Sequence, residues 1–80
     1  MPSIGTKEQT VINQMVLSSE IEWIGYEQKK NMLQVEFIAG SIYQYEQVPE
    51  NLFHAFLDAP SHGRFFDTQI KGHFPYRKIR

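Results

Sequence analysis

Alternating apolar and polar positions dominate the middle of the chain. Leu33, Val35 and Phe37 alternate with Gln34 and Glu36, the period-two pattern of a half-buried β-strand. Residues 21–26 read as the strand before it, where Gly25 permits a bulge or a close backbone approach. Residues 42–46 read as the strand after it, with Tyr43 and Tyr45 on one face and Ile42 and Gln44 on the other. Polar turns separate the three: residues 27–31, where Asn31 tolerates the left-handed conformation, and Ala39-Gly40-Ser41. Residues 20–47 are therefore expected to form a three-stranded antiparallel meander.

The period then changes. Pro49 suits the first position of a helix, where its missing N–H costs nothing. Leu52, Phe53, Phe56 and Leu57 make an apolar stripe at helical spacing, while Glu50, Asn51, His54 and Asp58 face away. Pro60 ends this helix, and the hydroxyl of Ser61 can cap a second short one. His62, Phe66 and Ile70 share a face of that second helix, and Gly72 fits its C-terminal end. Residues 74–79 read as an extended edge strand. Upstream, Met15-Val16-Leu17 is a short apolar run ending at Ser18-Ser19, the pattern of a first strand and turn. The expected fold is α+β: a small antiparallel β-meander of three to five strands packed against one amphipathic helix plus a second short helix. Residues 1–12 are expected to be a flexible N-terminal lead, and 13–80 a single domain.

Composition sharpens this picture. Eighty residues make one domain near the lower limit for a self-sufficient core, partly offset by eleven aromatic side chains. Cys is absent, which excludes disulfides and thiolate metal sites and leaves good packing or homo-oligomerisation as the means of stabilisation. No apolar run approaches the roughly 18 residues needed to span a bilayer. The start lacks the basic and apolar regions of a secretory signal. A cytoplasmic protein that does not engage membranes is the expectation.

The charge is polarised. Residues 61–80 hold Arg64, Lys71, Arg77, Lys78 and Arg80 against the single acid Asp67. Residues 1–60 hold three Lys and no Arg against eight Asp and Glu, so a net charge of −1 conceals a basic tail and an acidic front. The tail's cations are interleaved with Phe65, Phe66, Phe74 and Tyr76. Guanidinium groups suit phosphate, and aromatic faces suit bases. A solvated basic edge explains the same residues without a ligand.

The sequence resembles the KTSC domain family, so named for its occurrence at the C-terminus of some lysyl-tRNA synthetases. The resemblance is carried by Ser18-Ser19, Ile24-Gly25-Tyr26, the Leu33, Val35, Phe37 strand with Gly40, and Tyr43-x-Tyr45. It continues through Val48-Pro49, Ala59-x-Ser61-x-Gly63, Phe65-Phe66, Ile70-Lys71 and Phe74-x-Tyr76. The family usually has Asp where this chain has Glu27, and Asn where it has Asp67. The resemblance implies a small bacterial or phage protein and, through the synthetase, an RNA-binding role.

Candidate chemistry concentrates in a few places. Ser61, Gly63 and Arg64 would start the second helix, where free N–H groups attract phosphate, with Arg64, Lys71 and Arg77 adding full charges. Ser61 acting only as a cap is the competing explanation. Tyr26, Tyr43 and Tyr45, with Phe66 and Tyr76 from the tail, are candidates to stack on bases, or else to fill the core. Ser61, His62 and Asp67 crowd into one short helix and cannot form a relay. His54, His62 and His73 lack metal-ligand spacing, and Glu20, Glu22 and Glu36 read as a solvated strand face. The sequence is read as non-catalytic, with no cofactor. The expected function is binding of a phosphate-bearing nucleobase ligand, RNA in the family-level reading. The alternatives are an oligomer that sequesters a small, cyclic or linear nucleotide, and a protein–protein interaction module.

Overall fold

In the computed structural model, which describes residues 11–80, the chain forms a five-stranded sheet in the order β1-β2-β3-β4-β5, antiparallel throughout. The strands are β1 (Val11–Met15), β2 (Ile21–Glu27), β3 (Met32–Phe37), β4 (Ile42–Tyr45) and β5 (Tyr76–Lys78). Between β4 and β5 lie α1 (Glu50–Asp58), α2 (His62–Phe65) and a π-helical turn, Phe66–Ile70. The meander, amphipathic helix, short second helix and C-terminal edge strand all stand as the pattern dictates.

Three local expectations shift. β1 is Val11–Met15, not the apolar run at 15–17, and Leu17 is 96% exposed. Val11 and Ile12, assigned above to the lead, belong to this strand; the rest of the lead lies outside the described residues. Pro49 is the N-cap of α1, with extended backbone, and the helix begins at Glu50. The second helix widens after one turn into the π-helical segment, whose Phe66 and Ile70 are both buried.

β2 hides an irregularity. Ile21 pairs with Phe37 but Trp23 pairs with Glu36, so Glu22 is one residue too many on that strand. The bulge resets the alternation. Ile21 therefore joins Ile24 and Tyr26 in the core, fully buried, while Trp23 falls on the opposite face.

One face of the sheet is covered. Phe53 and Phe56 of α1 are fully buried against it, and Phe53 stacks on Tyr26 at 4.7 Å. Phe66 meets Phe37 and Tyr45 edge-on at 5.3 and 5.6 Å. The other face carries no helix; there Gln44 donates to Gln34 across the strands at 3.0 Å. Gly40 at φ 108 and Asn31 at φ 52 make the turns expected of them.

A tyrosine groove and a satisfied helix start

The register of β4 against β5 assembles the groove. Tyr45 lies opposite Tyr76, and Tyr43 opposite Lys78, so all four side chains leave the sheet on the helix side. The helices cover the middle of that face and stop short of β5. The three tyrosine rings are thus left as mutual neighbours: Tyr43 to Tyr45 at 6.4 Å, Tyr43 to Tyr76 at 5.8 Å, and Tyr45 to Tyr76 at 5.5 Å. Lys78 holds its ammonium 6.0 Å from the centre of the Tyr43 ring, within cation–π range.

These rings wall a groove of about 920 Å³, with Phe66 at its base and Ser19, Glu20, Asp67 and Lys71 on its polar sides. Exposure is graded along it, from Tyr45 at 3% to Tyr76 at 61%. Burial, and then the neighbouring Tyr43 and Tyr76 hydroxyls, push the Tyr45 pKa up to about 12. The groove floor is therefore uncharged at physiological pH, while its edges carry charges of both signs. It offers flat apolar surface with ionic partners at the border.

The helix start expected to receive phosphate is built differently. Ser61 accepts a hydrogen bond from the Arg64 N–H at 3.3 Å, satisfying one of the free donors. The His62 ring is held to the Leu57 carbonyl at 3.1 Å. Glu20 occupies the approach to Gly63: a Cβ there would lie 3.0 Å from its carboxylate oxygen. Asp67 lines the same depression. Ser61 thus serves as a cap, and Gly63 makes room for Glu20.

The expected site residues accordingly divide. Tyr43, Tyr45, Phe66, Lys71 and Tyr76 come together in the groove. Arg64 lines the neighbouring depression with Ser61 and Gly63. Arg77 projects from the other face of β5, opposite Gln44, with Glu46 at 3.9 Å. Tyr26 is 1% exposed and stacked under α1, its hydroxyl donating to the Val48 carbonyl at 2.6 Å. It is a core residue and cannot meet a base. Sequence reasoning missed Glu20 and Asp67 as groove residues, and Lys78 as the cation beside the Tyr43 ring. The signal for Lys78 was present in Tyr76-x-Lys78, which repeats the spacing of Tyr43-x-Tyr45 on a pairing strand.

Among the described residues, no helix is long and apolar enough to cross a membrane. No three His, Asp or Glu side chains converge there as metal ligands.

Comparison with known proteins agrees with this architecture. The sequence model of the KTSC domain matches residues 17–74. A protein of Stutzerimonas stutzeri (strain A1501) is 40% identical over 63 residues, covering 78% of this chain and 89% of the relative. A lysine–tRNA ligase of Nostoc punctiforme is 39% identical over 61 residues, which is 76% of this chain and 11% of the ligase. The crystal structure of a KTSC domain protein from Yersinia pestis superposes with a TM-score of 0.81 at 46% identity, over 88% of this chain and 99% of that one.

Proposed function

The chain belongs to the KTSC domain family, and from that premise we propose that it is a cytoplasmic, non-catalytic binding domain whose tyrosine groove takes a nucleobase with its phosphate. The observation that carries the reading is the exposed Tyr76 ring, clustered with Tyr43 and the buried Tyr45 beside Lys71 and Lys78. A base stacks on the exposed Tyr76 ring, and the lysines reach its phosphate. Single-stranded RNA is the primary source of that chemistry, and the presence of a matching segment in lysine–tRNA ligases supports it. Glu20 and Asp67 in the groove favour the second source, a short free nucleotide, because carboxylates repel a long phosphate backbone.

The test is fluorescence anisotropy with short single-stranded RNAs and with labelled nucleotides, at low and high salt. Saturable binding is expected, and Tyr76→Ala should weaken it by roughly 5- to 150-fold, since base stacking contributes about 1–3 kcal/mol. Arg64→Ala should leave the affinity unchanged, because Arg64 lies outside the groove. A steep loss with salt identifies RNA; a shallow one identifies the small nucleotide. No binding of either probe, or full affinity in Tyr76→Ala, overturns the reading.

A further inference from the structure

Six large apolar side chains stand exposed among the described residues, and Val11, Met15 and Leu17 are three of them, on β1 or at its exit. β1 is an edge: it pairs with β2 on one side, and no described strand lies on the other. Natural edges carry devices against sideways pairing, such as charge, proline, bulges or very short length. The opposite edge, β5, has three residues, two of them cationic. β1 has none of these devices. Its five residues, Val-Ile-Asn-Gln-Met, are uncharged and pair with β2 in a regular register.

The ladder shows which backbone groups are turned outward. Val16 donates its N–H to the Glu22 carbonyl at 3.1 Å. Residues directed at the partner strand alternate in an antiparallel pair, so Gln14 and Ile12 also face β2. Val11, Asn13 and Met15 direct their N–H and C=O groups away from the sheet. We propose that β1 pairs antiparallel with β1 of a second copy about a two-fold axis at Asn13, joining the two five-stranded sheets into one.

This register uses every outward group, about six backbone hydrogen bonds in all. It sets Val11 against Met15 of the partner subunit, apolar against apolar, and Asn13 against its own counterpart. Val11 and Met15 lie on the helix-free face, next to Glu27 and Trp23. One row across the joint therefore reads Trp23, Met15 and then Val11 of the partner subunit. The match of the outward positions about Asn13, with apolar Val11 facing apolar Met15, is what selects a second copy over an unrelated protein. The groove sits at the β4–β5 end, so pairing leaves both grooves open and the inference is independent of the binding reading.

Sedimentation velocity of the full chain over a wide concentration range tests it. The wild type is expected to dimerise reversibly. V11K/M15K sets lysine against lysine twice and should weaken the dimer at least about tenfold. V11E/M15K sets opposite charges against each other in the proposed register and should remain a dimer. Asn13→Pro removes an outward N–H while leaving the bonds to β2, and should give a folded monomer by circular dichroism. A wild type that is monomeric throughout overturns the proposal. So does a dimer indifferent to V11K/M15K and Asn13→Pro, or one that V11E/M15K disrupts as fully as V11K/M15K.

Discussion

Removing a single oxygen atom, in Tyr26→Phe, should cost far more than the volume lost. The Tyr26 hydroxyl donates to the Val48 carbonyl at 2.6 Å and accepts from the Asn31 side-chain amide at 2.9 Å. Asn31 in turn accepts the Val48 N–H on its carbonyl at 2.9 Å. One hydroxyl thus fastens the β2–β3 turn to the entry of α1. Phenylalanine keeps the ring and its stack on Phe53, so packing is held constant. Val48 is fully buried, and a buried acceptor left unmet costs about 1–3 kcal/mol. The lost bond to Asn31 adds about 0.5–1 kcal/mol. A loss of about 2 kcal/mol should lower Tm by roughly 8–16 °C in a domain of this size. Thermal and urea unfolding measure the change directly. Asn31→Gly supplies the second arm, because glycine accepts the φ of 52 and only the amide is removed. Its own penalty should shrink in the Tyr26→Phe background, giving a coupling of about 0.5 kcal/mol or more. A Tyr26→Phe protein within about 2 °C of wild type would refute the reasoning, because about 1 kcal/mol already moves Tm by more than that.

Other outcomes follow from the same geometry. Ser61→Ala should destabilise by about 1 kcal/mol through loss of the cap, with ligand affinity unchanged; a drop in affinity would return Ser61 to the site. Gly72→Ala should cost about 1–2 kcal/mol in denaturant titration, wholly from the backbone, since φ is 82 and no atom beyond the adjoining residues lies within 4 Å of the new methyl. The Tyr45 hydroxyl keeps its proton in the fold up to a pKa of about 12, while the unfolded chain releases it near 10. The unfolded state then binds fewer protons, so stability is intact below pH 10 and falls between about 10 and 12. Tyr45→Phe should flatten that decline; an unchanged slope in the variant would show that Tyr45 is not its cause.

What the sequence disclosed, it disclosed through periodicity. Leu33, Val35 and Phe37 face the core side as their alternation requires, and Phe53 and Phe56 are buried as their helical spacing requires. β1 was displaced because hydrophobicity is a poor guide on an edge: Val16 and Leu17 are the apolar pair, yet Asn13 and Gln14 hold the pairing with β2. The bulge at Glu22 left no compositional mark, so nothing in the strand announced that Trp23 would part from Ile21. The groove was half legible. Tyr43-x-Tyr45 marked one strand of it, but the pairing with Tyr76 depends on register across the whole helical segment. The charged tail misled for the same reason. Arg64, Lys71 and Arg77 are close in composition and sit in three different surroundings, because a turn of helix and an alternating strand each scatter neighbours to different faces.

The sheet order has a kinetic consequence. β1 to β4 pair with their immediate chain neighbours and can zip together through short turns. β5 can join only after the entire helical segment has folded back, so its closure carries the larger loop-entropy cost. Its attachment is slender: three residues, extended by Glu46 to Pro75 at 2.8 Å and Ile79 to Ile42 at 2.7 Å. Substitutions in β5 should then speed unfolding and leave the folding rate alone, while those in β2 and β3 should slow folding. Tyr76 and Lys78 ride on that last piece, so the groove is completed at the final step and is the first feature lost when the domain opens. Amide exchange at Ile79 faster than at Val35, by a margin that ligand narrows, would be the sign that the chain finishes folding on what it binds.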